Sequence, residues 1–322
     1  MAKKTGLDDL RGKFRGKDII SLDQFSTKDL QTLFTKTRKL KNIILRSGSL
    51  DLLKGNIVTL LFFEPSTRTF SSFSASIKRL GGLTIEISDP MHTSSVVKGE
   101  SLSDMIKTLS SYSDCLIIRH PIKGSLQIAA QSSDKPVINA GDGVGEHPTQ
   151  ALLDLFTIQE NIGKLNNLVG LIAGDMLNGR TVHSLIRGLS KFNNNKIFLL
   201  SPKELKLHRD EFDLLTKQGI ELIEIFKDSD IPKNIDFWYW TRVQKERFSN
   251  LRSYNRVKNK FILKPSLIKK FAGKNTIFMH PLPRVLEISQ EVDEDPRALY
   301  LSEQIKNGMF VRMALLSLVL GK

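Results

Sequence analysis

Short apolar runs recur along this chain, each followed by a stretch of helical period, and no other feature constrains its fold so strongly. Ile57–Phe63, Thr84–Ser88, Cys115–Arg119 and Pro136–Asn139 read as buried strands, with Ser71–Leu80, Leu102–Ser111 and Ser125–Gln131 as helices. Strands that alternate with helices build βαβ units, in which a parallel sheet is covered on both faces. A helical stretch, Pro148–Gln159, follows, and then the pattern restarts. Leu168–Ala173, Lys196–Leu200, Glu221–Phe226, Phe237–Trp240 and Thr276–Met279 form the second strand series. Thr181–Lys191 and Lys203–Gln218 read as its helices, and Asn193–Asn195 as a turn. Two series predict two α/β domains with a boundary near Pro148, which suits 322 residues at roughly 150 per domain. Pro296–Leu320 reads as a final helix, long enough to cross back onto the first domain.

The charge is less decisive. Lys and Arg number 48 against 34 Asp and Glu, a formal net charge of +14. Nucleic acid, an acidic membrane surface, small anionic substrates and a solvated lysine-rich surface all fit that excess. The single cysteine, Cys115, excludes a disulfide framework and a site built from several thiolates. No apolar run reaches the roughly 18 residues of a bilayer span. The N-terminal segment is basic but carries Asp8 and Asp9 and no apolar core, so a cytoplasmic protein is expected.

Ligands of open α/β sheets bind beyond the carboxyl ends of the strands, and polar motifs cluster there. Glu64-Pro65-Ser66-Thr67-Arg68-Thr69 follows a strand and opens a helix. Hydroxyls, a guanidinium and the outward amides of a helix N-terminus together suit a phosphate. An N-capping Ser/Thr cluster beside a surface Arg fits the same residues. Neither a P-loop nor a dinucleotide glycine motif is present. Arg119-His120-Pro121 ends another strand, and Asn139–Gln150 combines three glycines with His147 and Gln150 before a helix. Gly179–His183, Thr241–Arg247 and His280–Arg284 each follow a further strand. Taken singly, each reads equally as a charged loop or a stiff turn. Arg68, Arg119, Arg180 and Arg242, however, follow four separate strands without paired carboxylates or a metal-ligand cluster. A pocket lined in that way binds a small molecule with several negative charges.

These motifs, with Val97–Leu102, resemble the catalytic chain of the aspartate carbamoyltransferase family, in the family's order and from about Lys17 to Gly321. The resemblance implies two doubly wound parallel-sheet domains of the aspartate/ornithine carbamoyltransferase type, joined by interdomain helices. Residues 1–148 plus about 305–322 would bind carbamoyl phosphate, and residues 149–304 would bind aspartate. The implied reaction forms N-carbamoyl-L-aspartate and phosphate, in pyrimidine biosynthesis, with no metal or cofactor. Ser66, Thr67, Arg68 and Thr69 would hold the phosphate. Thr69, Arg119 and His147 would face the carbamoyl oxygen, and Gln150 the carbamoyl nitrogen. Arg180 and Arg242 would clamp the aspartate carboxylates, aided by Gln244 and the Leu282 backbone. Ser94 and Lys98 would enter a neighbouring subunit's site in a homotrimer, and Glu64 would orient the arginines. A regulatory chain or pathway enzymes would be separate partners. Leu177 stands where many members of the family carry Lys.

Three other readings compete: a carbamoyltransferase for ornithine or another amino acid, a nucleic-acid-binding protein, and an inactive scaffold. Ornithine-type relatives carry His-Cys-Leu-Pro where this chain has His280-Pro-Leu-Pro283, and an Asp-x-x-x-Ser-Met-Gly segment that is absent here. A nucleic-acid-binding protein would account for the charge, but the cations are dispersed and no recognition signature accompanies them. An inactive scaffold of the same fold fits poorly with the intact set of site residues.

Overall fold

The computed structural model describes residues 8–90, 99–143, 145–245, 248, 250–258 and 260–322. The chain divides into two compact units, Met1–Leu152 with Asn307–Lys322, and Leu153–Lys306.

The first α-helix described in the first unit, α1 (Thr27–Ser47), is one that the strand–helix alternation passes over. Among the described residues no strand precedes it, but a capping box announces it: Asp29 N donates to Ser26 Oγ, and Ser26 N to the Asp29 carboxylate. Leu30, Leu33, Phe34, Thr37, Leu40 and Ile44 form its buried stripe at helical spacing. There follow β1 (Ile57–Phe62), α2 (Thr67–Arg79), β2 (Leu83–Ser88), α3 (Leu102–Ser110), β3 (Cys115–His120), α4 (Ser125–Ser132), β4 (Val137–Asp142) and α5 (Pro148–Ile162). The strands pair in parallel in the order β2-β1-β3-β4. Leu61, Leu116, Ile118 and Val137 pack with Ile106, Leu109, Leu126 and Ala129 in one core cluster. Each large side chain there is worth about 1.5–3 kcal/mol of burial.

In the second unit come β5 (Val169–Ala173), α6 (Arg180–Ser190), β6 (Lys196–Leu200), α7 (Arg209–Lys217), β7 (Glu221–Ile225), β8 (Phe237–Trp240), α8 (Leu251–Val257), α9 (Pro265–Phe271) and β9 (Ile277–Met279). Its parallel sheet runs β7-β6-β5-β8-β9. All four side chains of β8, Phe237-Trp238-Tyr239-Trp240, are fully buried, as a strand covered on both faces requires. The last helix, α10 (Glu303–Val319), returns the chain to the first unit, so the division falls within α5 and α10.

Three expected helices are corrected. Lys203–Gln218 is not continuous: a 3-10 turn at Lys203–Leu205 precedes α7. Met176 N and Leu177 N both donate to Leu205 O, which ties this segment down, and Leu205 and Leu207 are buried. The final helix starts at Glu303 rather than Pro296, because Phe278 N donates to Arg297 O and Leu299 N to Phe278 O. That exchange holds Ala298 as an extended bridge beside β9. Conversely α2 begins at Thr67, earlier than Ser71, so the Ser/Thr cluster lies in its first turn.

The strand orders fix where ligands can bind. In the first sheet β1 lies between β2 and β3, so the helices after β1 and β3 leave to opposite faces. In the second sheet β5 lies between β6 and β8 and creates the same divergence. Each sheet therefore has one crevice at the carboxyl ends of its diverging strands.

Candidate active site

On the first sheet that crevice separates β1 from β3. Phe62 pairs with Arg119 in register, and Phe63 N donates to Arg119 O at 2.9 Å, so the loop after β1 starts against the end of β3. Ser66 is the N-cap of α2, yet its side chain makes no capping bond. Thr69 is buried, whereas Thr67 and Arg68 are exposed. The amides of this first turn and the helix dipole present a partial positive charge to the crevice.

Arg119 is aimed by its neighbours. Its Nη2 lies 3.1 Å from Glu64 Oε2, and its Nη1 donates to Ala140 O at 3.4 Å. Gly141, with φ +133, permits this placement, since a Cβ there would stand 3.1 Å from Nη1. Beyond β4 the chain turns through Gly143 (φ +52), where a Cβ would stand 2.5 Å from Pro121 O. The Glu146 carboxylate then accepts from Ser21 Oγ at 2.7 Å and Leu22 N at 3.0 Å. His147 follows, 4% exposed, and its carbonyl accepts from Gln150 N and Ala151 N as α5 begins with Pro148. Because β4 lies beside β3, the loops carrying Ser66–Thr69, Arg119 and His147–Gln150 share one sheet edge. Burial pushes the neighbouring Asp142 carboxyl up and the His120 imidazole down, so the charged form is disfavoured in both.

On the second sheet the crevice separates β5 from β8. Gly174 (φ +124) follows β5, and a Cβ there would stand 2.1 Å from Thr241 O. That contact, with Thr241 N donating to Ala173 O at 2.8 Å, draws the two loops together. The fully buried Asp175 accepts from the Asn178 backbone at 2.9 Å and from its side-chain amide at 3.2 Å. Asn178 O accepts from Gln244 Nε2 at 2.9 Å. Arg180 opens α6 immediately afterwards, and Arg242 lies two residues before Gln244. Both arginines are partly buried.

The loop after β9 adds Leu282 to the same edge. Leu282 has a left-handed backbone, φ +53, and precedes a cis proline. Its N–H donates to His280 Nδ1 at 2.7 Å, so the ring proton is on Nε2, which donates to Glu287 Oε1 at 2.8 Å. Burial pushes the Glu287 carboxyl up, but the bonds from His280 and from the loop amides outweigh it and hold the pKa below the usual value. A buried set anchors this edge from below: Tyr239 OH and Gln304 Nε2 both donate to Asp154, and His280 N donates to Gln304 Oε1.

Seven of the expected residues, Ser66, Thr67, Arg68, Thr69, Arg119, His147 and Gln150, thus lie along one edge of the first sheet. Arg180, Arg242, Gln244 and Leu282 lie along one edge of the second. Ser94 and Lys98 lie outside the described residues. Arg284, at the end of the His280 motif, instead pairs with Asp293, with Nη2 2.6 Å from Oδ2, and lies over the Tyr300 ring. The sequence motifs include Gly141 among the three glycines of Asn139–Gln150 but assign no role to Gly174, Asp175 or Asn178. The Gly174-Asp175 step at the end of β5 was the available signal. Leu177 is 39% exposed. Among the described residues, no group of three or more His, Cys, Asp or Glu is placed to hold a metal ion. Nor is any helix there long and apolar enough to cross a membrane.

Family comparisons match both units. Residues 17–160 match the carbamoyl-P binding domain of aspartate/ornithine carbamoyltransferase, and residues 167–319 match its Asp/Orn binding domain. The aspartate carbamoyltransferase catalytic subunit of Clostridium botulinum is 46% identical over 95% of this chain and 99% of its own. Multifunctional protein pyr1-3 of Dictyostelium discoideum is 49% identical over 95% of this chain. The chain spans 14% of the length of the multifunctional relatives it matches. Among solved structures, Trypanosoma cruzi aspartate transcarbamoylase in complex with carbamoyl phosphate and aspartate superposes with a TM-score of 0.88. It is 39% identical, and the match covers 98% of this chain and 99% of that one.

Proposed function

Because the chain belongs to the aspartate/ornithine carbamoyltransferase family, we propose that it transfers the carbamoyl group of carbamoyl phosphate to the amine of L-aspartate. The products are N-carbamoyl-L-aspartate and phosphate, a step of pyrimidine biosynthesis. The observation that carries the choice of aspartate is the second sheet's crevice. Arg180 and Arg242 flank it from β5 and β8, and the Gln244–Asn178 bond ties their loops together. Two guanidiniums suit a dicarboxylate. Ornithine's second ammonium requires an acid, and Asp175, the acid on that loop, is fully buried and bonded to Asn178.

In this reading Ser66, Thr67, Arg68 and Thr69 hold the phosphate at the α2 N-terminus. Thr69, Arg119 and His147 donate to the carbonyl oxygen, whose negative charge grows as the amine attacks. Gln150 holds the carbamoyl nitrogen, while Gln244 and the Leu282 backbone complete the aspartate end. Aspartate enters the step with its ammonium already deprotonated. The new C–N bond gives a tetrahedral intermediate; the C–O bond to phosphate then breaks, and the departing phosphate takes the remaining amine proton. Orientation and fixed positive charge supply most of the rate. A homotrimer in which Ser94 and Lys98 serve a neighbouring subunit, and a cytoplasmic location, complete the proposal.

Phosphate release by the purified protein with carbamoyl phosphate and either L-aspartate or L-ornithine tests it. Turnover with aspartate is expected; turnover with ornithine alone contradicts it.

A further inference from the structure

The sequence motifs leave one buried cation unused. Arg312 lies on the part of α10 that belongs to the first unit and is 4% exposed. Its Nη1 donates to Ser72 Oγ at 2.9 Å, and its Nη2 lies 3.5 Å from Thr149 Oγ1. The guanidinium lies over the Phe73 ring, 5.0 Å from the centroid. Ser72 and Phe73 belong to α2, whose first turn is the Thr67–Thr69 cluster. Thr149, fully buried, is the second residue of α5, between His147 and Gln150. One planar fork therefore reaches from the helix behind the phosphate cluster to the helix start that carries His147 and Gln150.

A second contact gives this fork a fixed base. Ser76 Oγ lies 3.0 Å from Met309 O and 2.6 Å from Ser72 O, so its one hydroxyl proton is shared between the carbonyls of the two helices. Ser72 and Ser76 are one turn apart on α2, and Met309 and Arg312 one turn apart on α10, so the two helices meet along a row and not at a point. Burying a guanidinium is costly unless hydrogen bonds compensate, and only an Arg presents two donor nitrogens in the plane that these hydroxyls require.

We propose that Arg312 is a positioning residue for carbamoyl phosphate: it fixes the start of α5 relative to α2, so that His147 and Gln150 face the same ligand as Ser66–Thr69. It touches no substrate atom itself. The inference rests on the carbamoyl-phosphate role assigned above to the first unit.

The test is Arg312→Gln and Arg312→Lys in the full chain, with steady-state kinetics in both substrates and calorimetric binding of phosphonoacetamide, an isostere of carbamoyl phosphate. Lys keeps the charge but cannot bridge both hydroxyls. A misplacement of about 1 Å costs up to ~100-fold, so Arg312→Gln should raise KM for carbamoyl phosphate and Kd for phosphonoacetamide about tenfold or more. Arg312→Lys should fall between that variant and the wild type. KM for aspartate, at saturating carbamoyl phosphate, should stay near the wild-type value. A purely structural Arg would lower the melting temperature and active fraction but leave these constants unchanged in the folded fraction, and that result overturns the proposal. Should Arg312→Gln fail to fold, Thr149→Val and Ser72→Ala remove the acceptors one at a time, and a rise in the same constants is expected. If the wild type binds phosphonoacetamide without carbamoylating aspartate, the proposed reaction fails, and the variants' affinities still decide the role of Arg312.

Discussion

Arg119 is held by Glu64: its Nη2 lies 3.1 Å from Oε2, with the two side chains 12% and 28% exposed. The pair joins the loop after β1 to the end of β3, the two sides of the first crevice. The carboxylate fixes the direction of the guanidinium, and Glu64→Gln keeps the size while removing the charge. In the proposed reaction this variant should lower kcat about 10- to 100-fold, by analogy with loss of the hydrogen-bond partners that orient metal ligands. Steady-state kinetics at saturating substrates check it. Replacing His147 with Ala should cost more, about 100- to 1000-fold in kcat, as for loss of an oxyanion donor, and Arg68→Ala should also lower kcat because the departing phosphate loses its guanidinium.

Arg242 sits two residues from Gln244, whose side-chain bond to Asn178 O ties the β8 loop to the loop before Arg180. A hydrogen bond to a charged group is worth about 1.5–3 kcal/mol, so Arg242→Ala should raise KM for aspartate about 10- to 100-fold. KM for carbamoyl phosphate should move little. A variant that lost both affinities equally would argue against the division of roles between the two sheets.

Gly174 leaves no room for a side chain, because a Cβ would lie 2.1 Å from Thr241 O, at a φ of +124. Gly174→Ala must push β5 and β8 apart or distort the turn. Overpacking of this kind costs about 1–3 kcal/mol, to which the backbone conformation adds. Urea unfolding should show the loss, accompanied by weaker aspartate binding, since the same contact positions Arg180 and Arg242.

The arginines were legible in the sequence because each follows an apolar run that only a buried strand explains. Their supports were not. Glu64 emerged only through resemblance, and Asp175 and Asn178 are ordinary polar residues until a glycine contact folds their loop against Thr241. Fold errors arose where tertiary bonds override helical period. Leu205 O, engaged by two amides, interrupts Lys203–Gln218, and the Ala298 bridge beside β9 delays the last helix. Helix α1 carries a full capping box and apolar stripe, but it lies outside the strand–helix alternation that marks the other elements.

His183 gives the stability a pH dependence. Its Nε2 donates to Met176 O at 2.7 Å, and burial, the largest influence, pushes its pKa below the ordinary 6.5 despite Asp175 and Glu211 nearby. Between the depressed folded value and 6.5 the unfolded chain binds a proton that the folded chain refuses. Stability therefore falls as pH drops below 6.5, and it is regained as pH rises through that window. His120, also pushed down by burial, acts in the same direction. His183→Gln keeps a donor for Met176 O and removes the titration, so its melting temperature should fall less steeply on acidification than the wild type's. Parallel slopes would show that His183 does not contribute.

Carbon–nitrogen bond formation tests the central claim most directly. The protein is mixed with 13C-carbamoyl phosphate and 15N-L-aspartate and followed by NMR. A one-bond 13C–15N coupling should appear in step with an equimolar release of phosphate, and it should be absent with 15N-ornithine. Phosphate released without that coupling, or coupling to ornithine in its place, would contradict the account.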